Sequence, residues 1–386
     1  MAFLVHRAER ADLLVEGLAE LLREPPSDPF ARELVIVPAR GVERWLSQRL
    51  SHRLGPSPGQ DDGICAAVDF RSPGSLVADL IGARGNDPWS PDALVWPLLQ
   101  VVDASAGEPW CTTLSEHLGH GKTGEELDLR QGRRYATARR LARLFGEYAV
   151  QRPTLLTNWE SGRDTDGFEG APLDPDLHWQ AELWRRLVSV VAQPSPVLRH
   201  AAVLERLRAA PETFELPDRI SFFGHTRIPS SELALLEALA EHRDVHLWMP
   251  HPSPALWGAL DAVAAGTVAR TADLSHELVG HPLLASLGRD LRELQRHLPT
   301  GDVVGPPTPA GTSLLQHLQA DIAGNALPAS PRPLDPSDRS ISVHACHGPA
   351  RQVEVLREVI SGLLADDDTL EPRDILVMCP DIEAYA

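Results

Sequence analysis

The chain has 386 residues, 43% of them hydrophobic, and this length predicts two or three domains that each bury a core. Its formal net charge of −18 at pH 7 excludes a protein that coats nucleic acid through overall positive charge, so any nucleic acid must meet a locally basic surface. No apolar run reaches the length of a membrane span, and Met1 to His6 lack the pattern of a secretion signal, which predicts a cytoplasmic protein.

Short apolar strands alternate with amphipathic helices at the start of the chain. The predicted elements are the strands Phe3 to Val5, Leu34 to Val37 and Ile64 to Val68, and the helices Arg10 to Leu22, Val42 to Leu54 and Gly74 to Ile81. Ser72 is the predicted N-cap of the third helix. This alternation indicates a parallel sheet that is covered by helices on both faces.

The periodicity then becomes helical from about Asp92 to Ala209. The predicted helices are Ala93 to Val102, Arg130 to Val150, Trp179 to Val191 and Val197 to Ala209, with a polar surface loop, Glu160 to Asp176, between two of them. Strands return at Ile220 to Phe223 and Val245 to Trp248, on either side of a helix from Ser231 to Glu241. We therefore predict one α/β core, residues 1–83 plus 210–298, interrupted by an all-helical insertion, residues 84–209.

Two proline-rich stretches follow, Pro299 to Thr312 and Leu327 to Asp338, and predict extended linkers around a short helix within residues 299–338. A second α/β domain is expected to begin in residues 339–386. Its predicted elements are strand Ser340 to His344, helix Arg351 to Leu364 and strand Ile375 to Met378. Two parallel strands cannot bury both faces of a sheet, so we expect this domain to be truncated and the chain to be a fragment.

Nucleotide-binding loops lie between a strand and a helix. Pro38 to Gly41 has that position but lacks the residues that bind phosphate. Such a loop needs glycines, a lysine and a hydroxyl, but the chain's one lysine is Lys122. Glu116 occupies the position of the first required glycine before Gly121-Lys122-Thr123, which favours a polar loop between helices. We predict that the chain does not hydrolyse ATP and has no cofactor or metal site of its own.

Other candidate sites are weak. Gly224-His225 follows a strand without a carboxylate, and Asp69 at a strand end is more often a cap or turn residue. His344, Cys346 and His347 have no second ligand cluster at suitable spacing, and the run from Asp366 to Asp368 favours a solvated loop. No nucleophile motif is present, and the four cysteines are spaced as reduced, mostly buried thiols: Cys65, Cys111, Cys346 and Cys379.

One local basic surface is predicted on the long helix from Arg130 to Val150. One face carries the apolar side chains, and the opposite face carries four arginines, namely Arg133, Arg139, Arg140 and Arg143. Such a stripe is usually a solvated or partner-facing surface, and the sequence slightly favours that interpretation over contact with DNA.

Several stretches together resemble the RecC family, the γ subunit of exodeoxyribonuclease V (RecBCD). They are Asp28-Pro29-Phe30, Leu34 to Val37, Gly41 to Leu46, Tyr148 to Pro153 with Trp159, Trp179 to Trp184, Phe222 to Gly224, His281 to Ser286 and, most specifically, Arg332 to Pro336, His344 to Pro349, Arg351 to Leu356 and Pro372 to Met378. The resemblance runs in order along the whole chain.

The resemblance implies a superfamily 1 helicase-like, P-loop-type fold that has lost its ATPase motifs. RecC-like subunits split the incoming duplex, hold RecB-like and RecD-like helicase–nuclease subunits that use ATP and Mg, and pass the 3′ strand through a tunnel where a Chi-type signal is read. By position, the implied tunnel residues here are Pro38, Arg40, Arg44 and Arg152, with Arg143 and Glu147 as weaker candidates. Family members that read a known signal have amides and hydroxyls at positions 38, 40 and 44, which puts the identity of the signal in doubt.

Three hypotheses follow. The first is a non-catalytic DNA-binding and scaffold subunit of a helicase–nuclease in double-strand break repair. The second is an active ATP-dependent helicase or nuclease with an aberrant nucleotide loop. The third is an interaction module whose residues never touch DNA.

Overall fold

A computed structural model of the chain describes residues 1–26, 28, 30–55, 63–83, 85, 87–168, 170–263, 265–307 and 311–385. Outside this description lie Pro29 of the family motif, Arg84 at a predicted domain boundary, Glu169 of the predicted polar loop, and residues 308–310 of the first proline-rich stretch. The chain divides into two compact units. The first comprises Met1–Thr308 and Ile322–Leu327, and the second comprises Pro309–Asp321 and Pro328–Ala386.

The first unit is built on a parallel β-sheet, which confirms the predicted α/β class. Its strands are β1 (Phe3–Ala8), β2 (Glu33–Ile36), β3 (Val68–Arg71), β4 (Arg219–Phe223), β5 (Asp244–Pro250) and β6 (Asp302–Val303). They lie side by side in the order β3-β2-β4-β5-β1-β6, and every recorded pairing is parallel. All their carboxyl ends therefore meet at one edge of the sheet.

Both units contain helices, and those of the first unit connect the strands or pack beside them. Within the described residues they are α1 (Ala11–Arg23), α2 (Arg40–Ser51), α3 (Pro73–Leu80), α4 (Pro91–Ala104), α5 (Thr112–His117), α6 (Glu125–Gln131), α7 (Arg134–Gln151), α8 (Pro153–Glu160), α9 (His178–Val191), α10 (Pro196–Ala209), α11 (Ser230–Ala240), α12 (Pro254–Leu260), α13 (Pro282–Leu287), α14 (Arg289–Gln295), α15 (Leu314–Ala323) and α16 (Gly348–Asp366). The predicted cap of α3 is confirmed, because the Ser72 hydroxyl oxygen accepts a hydrogen bond from the Ser75 N–H at 3.2 Å.

Both faces of the sheet are buried at β2, in agreement with its continuous apolar run from Leu34 to Val37. Leu34 and Ile36 pack into one core with α3, α10 and α11, whereas Val35 and Val37 pack into another with α1 and α2. Successive strand residues point to opposite faces, so a strand buried on both sides is apolar throughout. The packing of Val35 and Val37 against α1 and α2 places the start of α2 next to the carboxyl end of β2.

A third core lies within the helical region between β3 and β4. Phe145 of α7, Trp159 of α8 and Trp184 of α9 are fully buried there, with ring centroids of Phe145 and Trp184 5.2 Å apart. Large aromatic side chains contribute strongly to burial, so this region has a core distinct from those beside the sheet. Three of the four helices predicted for this region are present as α4, α9 and α10, with differences at their ends.

The third strand was predicted four residues too early. Ile64 is 76% exposed, and pairing with β2 begins only at Val68, opposite Glu33. Ala67 has a left-handed backbone with φ of 58°, which reorients the chain immediately before the strand. Asp69 consequently lies inside β3, where it pairs with Arg71 at 2.7 Å, instead of following a strand.

The predicted helix from Arg130 to Val150 is interrupted. Gly132 and Arg133 separate α6 from α7, so Arg133 lies at the break and only Arg139, Arg140 and Arg143 of the predicted stripe lie on α7. Glycine disfavours a helix interior by about 1 kcal/mol relative to alanine, which explains why the break falls there.

The first proline-rich stretch, Pro299 to Thr312, is predicted as a linker but contains a strand. Asp302 and Val303 pair with His6 and Arg7 of β1 as the edge strand β6. A two-residue edge strand has no periodicity of its own, so the sequence interpretation missed it.

In the second unit the predicted helix is present as α16, but the predicted strands Ser340 to His344 and Ile375 to Met378 are not formed in the described residues. A strand exists only with a hydrogen-bonded neighbour, and Val343 and Met378 are 93% and 85% exposed. The domain boundaries drawn from the sequence stay predictions.

Candidate nucleic-acid interface

The carboxyl edge of the sheet carries two exposed arginines on α2. Buried Val37 follows β2, and Pro38 and Ala39 are exposed in the turn. The extended Ala39 leads directly into a helix that starts at Arg40. Arg40 and Arg44 are one turn apart on the exposed face of α2. Within the described part of the chain neither has an ion-pair partner. Their charges add to the positive end of the helix dipole, which favours an anionic ligand.

A groove of about 440 Å³ runs beside Arg44, and sequence reasoning missed it. Its lining is polar along α2 and apolar on the opposite side: Glu43, Arg44, Ser47, Gln48 and Ser51 face Gly63, Ile64, Cys65 and Phe70. The sequence pattern that could have indicated this groove is the helical spacing of its polar residues, which places Arg44, Ser47, Gln48 and Ser51 on one face of α2. Hydroxyl and amide groups next to an arginine can hydrogen-bond the edge of a nucleobase.

The turn after β4 lies against this helix. A Cβ atom at Gly224 would stand 3.8 Å from Cγ1 of Val42, and the residue has a left-handed φ of 77°. His225 follows and is buried, and burial lowers its pKa to about 4. A neutral imidazole therefore occupies the end of β4 at neutral pH.

The same connection reaches the end of α7. The Ser231 hydroxyl donates to the carbonyl oxygen of Val150 at 2.8 Å, and the Ser230 hydroxyl donates to that of Gln151 at 3.4 Å. Arg152 comes next and is exposed between α7 and α8, with its N–H bonded to the carbonyl of Tyr148 at 2.8 Å. The loop between β4 and α11 thus lies against α2 at Gly224 and bonds to the end of α7, which Arg152 follows.

Tyr148 anchors the end of α7. Its hydroxyl donates to Oε1 of Gln180 at 3.1 Å, and its ring packs edge-on against Trp159 with centroids 6.0 Å apart. Burial raises the pKa of this hydroxyl, although the Arg152 charge opposes the shift, so the phenol stays protonated. These contacts fix the backbone from which Arg152 projects.

Arg143 and Glu147 lie one turn apart on the exposed side of α7, as their predicted positions require. Arg143 has no ion pair among the described residues. Arg139 differs, because its Nε lies 3.3 Å from Oδ1 of Asp92 on α4. The predicted arginine stripe is therefore partly a helix–helix contact.

Lys122 is far in sequence from any strand end. It lies between α5 and α6, and its Nζ is 3.9 Å from Oε1 of Glu126. The predicted polar loop between helices is confirmed. This lysine does not follow a strand of the sheet, so it is not positioned as a nucleotide-loop lysine.

The weaker sequence candidates show no ligand geometry. The described residues contain no group of three or more His, Cys, Asp or Glu side chains placed to hold a metal ion. Asp367 accepts hydrogen bonds from its own turn, from the N–H and hydroxyl of Thr369. All four cysteines are free, but only Cys111 is buried and Cys379 is exposed, which corrects the expectation of mostly buried thiols.

Comparison with known proteins shows the family of the chain. The family model described as RecC, N-terminal domain, matches residues 3–325. The chain belongs to the RecC family.

Relatives in the RecC family match along the entire chain. "RecBCD enzyme subunit RecC" of Mycolicibacterium smegmatis is 57% identical over 388 residues, covering 100% of this chain and 34% of the relative. The subunit of the same name from Mycobacterium tuberculosis (strain H37Rv) is 56% identical, covering 100% and 35%, and that of Escherichia coli (strain K12) is 30% identical, covering 99% and 37%. The chain thus spans about a third of the length of these RecC relatives.

In the described residues, no single helix has both the length and the apolar composition to cross a membrane. One pair of helical segments bent by 71°, Pro175–Val191 with Pro196–Ala209, meets those two criteria when taken together.

Proposed function

We propose that the chain is part of a non-catalytic DNA-binding and scaffold subunit of an ATP-dependent helicase–nuclease, exodeoxyribonuclease V, in double-strand break repair by homologous recombination. In this proposal the subunit splits the duplex, guides the 3′ strand and reads a Chi-type signal. RecB-like and RecD-like subunits are its partners and use the ATP and Mg. The location is the bacterial cytoplasm, where the chromosome lies.

The observation that carries the proposal is the carboxyl edge of the sheet. In open parallel sheets, ligands bind outside the carboxyl ends of the strands. Here that edge presents Arg40 and Arg44 without ion-pair partners in the described residues, and a groove with one polar and one apolar side lies beside Arg44. These groups suit phosphates and base edges.

The same edge gives little support to nucleotide hydrolysis. Only Glu9 and Arg10 separate β1 from α1, which is too short a turn to wrap a triphosphate. The longer connection from Gly224 to Pro229 carries no carboxylate to hold magnesium. We therefore favour a degenerate superfamily 1 helicase-like core over an active helicase with an aberrant nucleotide loop.

The experiment is purification of the full chain together with the subunits that accompany it, followed by ATP-hydrolysis and DNA-unwinding assays. We expect a helicase–nuclease to copurify, and we expect Lys122→Ala to leave ATP turnover unchanged. ATP hydrolysis by the isolated chain that is lost in Lys122→Ala would support the active-helicase alternative and overturn the proposal.

A second assay separates DNA contact from a purely architectural role. Single-stranded DNA is photocrosslinked to the assembled complex, and the adducts are mapped by mass spectrometry. We expect adducts within residues 37–44 and 139–152. Their absence from both segments, with unwinding intact, would favour an interaction module that does not touch DNA.

A further inference from the structure

Two exposed aromatic side chains lie together on the helical region. Trp96 of α4 is 69% exposed and Tyr135 of α7 is 48% exposed, and their ring centroids are 6.3 Å apart at an angle of 59°. Large aromatic side chains are usually well buried, because their apolar surface is costly to leave in water. A neighbouring exposed pair is therefore a candidate binding surface.

Ion pairs between the two helices hold this pair in place. One turn before Trp96, Asp92 pairs with Arg139, which lies one turn after Tyr135. Arg134, the residue before Tyr135, pairs with Asp103 near the other end of α4. The two rings thus project from helices that also share a buried core, so little order has to be gained when a ligand binds.

Next to the pair, Asp103 and Asp92 match the charges of Arg134 and Arg139, so the unmatched positive charge lies further along α7. Tyr135, Arg139 and Arg143 follow one another at i, i+4 and i+8 along one flank of α7. Arg140 and Arg143 have no ion pair within the described ranges, although the chain carries a net charge of −18. An anionic ligand fits this flank better than a basic partner does.

We infer that Trp96 and Tyr135 form a stacking platform for the unpaired bases of single-stranded DNA. Aromatic rings beside a row of arginines are the combination by which proteins bind single strands without reading their sequence, since every base has a stacking face. Arg143 and Tyr135 are eight helical residues apart, about 12 Å. At roughly 3.4 Å per stacked nucleotide, a strand held at Arg143 reaches the platform within about four nucleotides.

This inference rests on the proposed function, because it assigns the platform to the same DNA strand. It adds a binding element that neither the sequence motifs nor the carboxyl edge of the sheet contains. The platform lies on the helical insertion, so its loss should weaken strand binding without changing the response to a recognition sequence.

The test uses an oligodeoxythymidine strand with 5-bromouracil, photocrosslinked to the full chain purified with its accompanying subunits. The variants are Trp96→Leu and Tyr135→Leu, which keep an apolar side chain but remove the ring, and Trp96→Phe, which keeps a ring. The control is Phe30→Leu, which changes an exposed aromatic residue before β2, at the amino edge of the sheet.

We expect adducts on Trp96 or Tyr135 and about a tenfold loss of affinity in each leucine variant, with Trp96→Phe and Phe30→Leu close to wild type. Adducts confined to residues 37–44 and 139–152, with unchanged affinity in the leucine variants, would overturn the platform and leave the proposed function standing. If the complex does not bind the strand at all, both the platform and the proposed function are overturned. Loss of an accompanying subunit in Trp96→Leu, with DNA affinity unchanged, would overturn the platform and make the pair a protein interface.

Discussion

The hydroxyl of Ser231 donates to the carbonyl oxygen of Val150 at 2.8 Å, and this bond ties the first turn of α11 to the last turn of α7. Ser231 is 7% exposed. The bond therefore links a buried side chain next to the sheet with the exposed end of α7. Because Arg152 follows Val150 by two residues, the contact also positions a predicted DNA-binding side chain.

Ser231→Ala should destabilise the folded chain by about 1 kcal/mol, because the carbonyl oxygen of Val150 loses the hydrogen bond from the buried Ser231 hydroxyl. The free energy of unfolding in urea is the measurement. Ser230→Ala is the matched control, since Ser230 is exposed and its bond to Gln151 is a long 3.4 Å. Equal losses in the two variants would contradict the role assigned to Ser231.

Arg40→Ala and Arg44→Ala should leave complex assembly and unwinding largely intact while altering the response to the recognition sequence. Each arginine that contacts a phosphate should also contribute about one unit to the slope of log affinity against log salt concentration. Arg49→Ala is the control, because Arg49 is exposed in the last turn of the same helix. Unwinding that disappears together with assembly would show that Arg40 and Arg44 are structural.

Gly17→Ala should destabilise the chain by about 1 to 3 kcal/mol, even though alanine favours helices. A Cβ atom at Gly17 of α1 would stand 2.7 Å from the ring of Trp248 and 2.8 Å from Cγ1 of Val304. The control is Gly146→Ala on α7, where no atom lies within 4 Å, and there the change should stabilise by about 0.5 to 1 kcal/mol. The unfolding temperatures of both variants, compared with wild type, test this prediction. A Gly17→Ala protein that unfolds at a higher temperature than wild type would refute the close packing.

Stability should fall as the pH drops from about 6.5 towards 4. Burial lowers the pKa of His246 to about 4 from its usual 6.5, with the neighbouring His6 adding to the shift. Nε2 of His6 lies 3.0 Å from Nδ1 of His246, and the His6 ring stacks on Trp248 with centroids 4.0 Å apart. In this pH range the unfolded chain takes up a proton that the folded chain does not, which favours unfolding.

At pH 5 this imidazole alone should cost about 2 kcal/mol of stability relative to pH 7.5. Urea unfolding at the two pH values measures the loss, and His246→Gln should reduce it. A loss of the same size in wild type and His246→Gln would show that this histidine is not responsible.

The strand–helix alternation from Phe3 to Ile81 was sufficient to predict a parallel sheet buried on both faces. Local capping, as at Ser72, was equally visible, because such features depend on neighbouring residues. The positions of Arg40, Arg44 and Arg152 came from the family resemblance. Their role in binding DNA stays a prediction.

Tertiary structure decided whatever depends on distant partners. The third strand begins at Val68 because β2 offers its hydrogen bonds there, and Asp302 and Val303 form a strand only because β1 has a free edge. The link from the α2 turn to Arg152, and the meeting of Trp96 with Tyr135, join residues separated by dozens of positions. Periodicity in a sequence indicates which face of an element is buried, but not which element covers that face. These contacts therefore could not be predicted from the sequence.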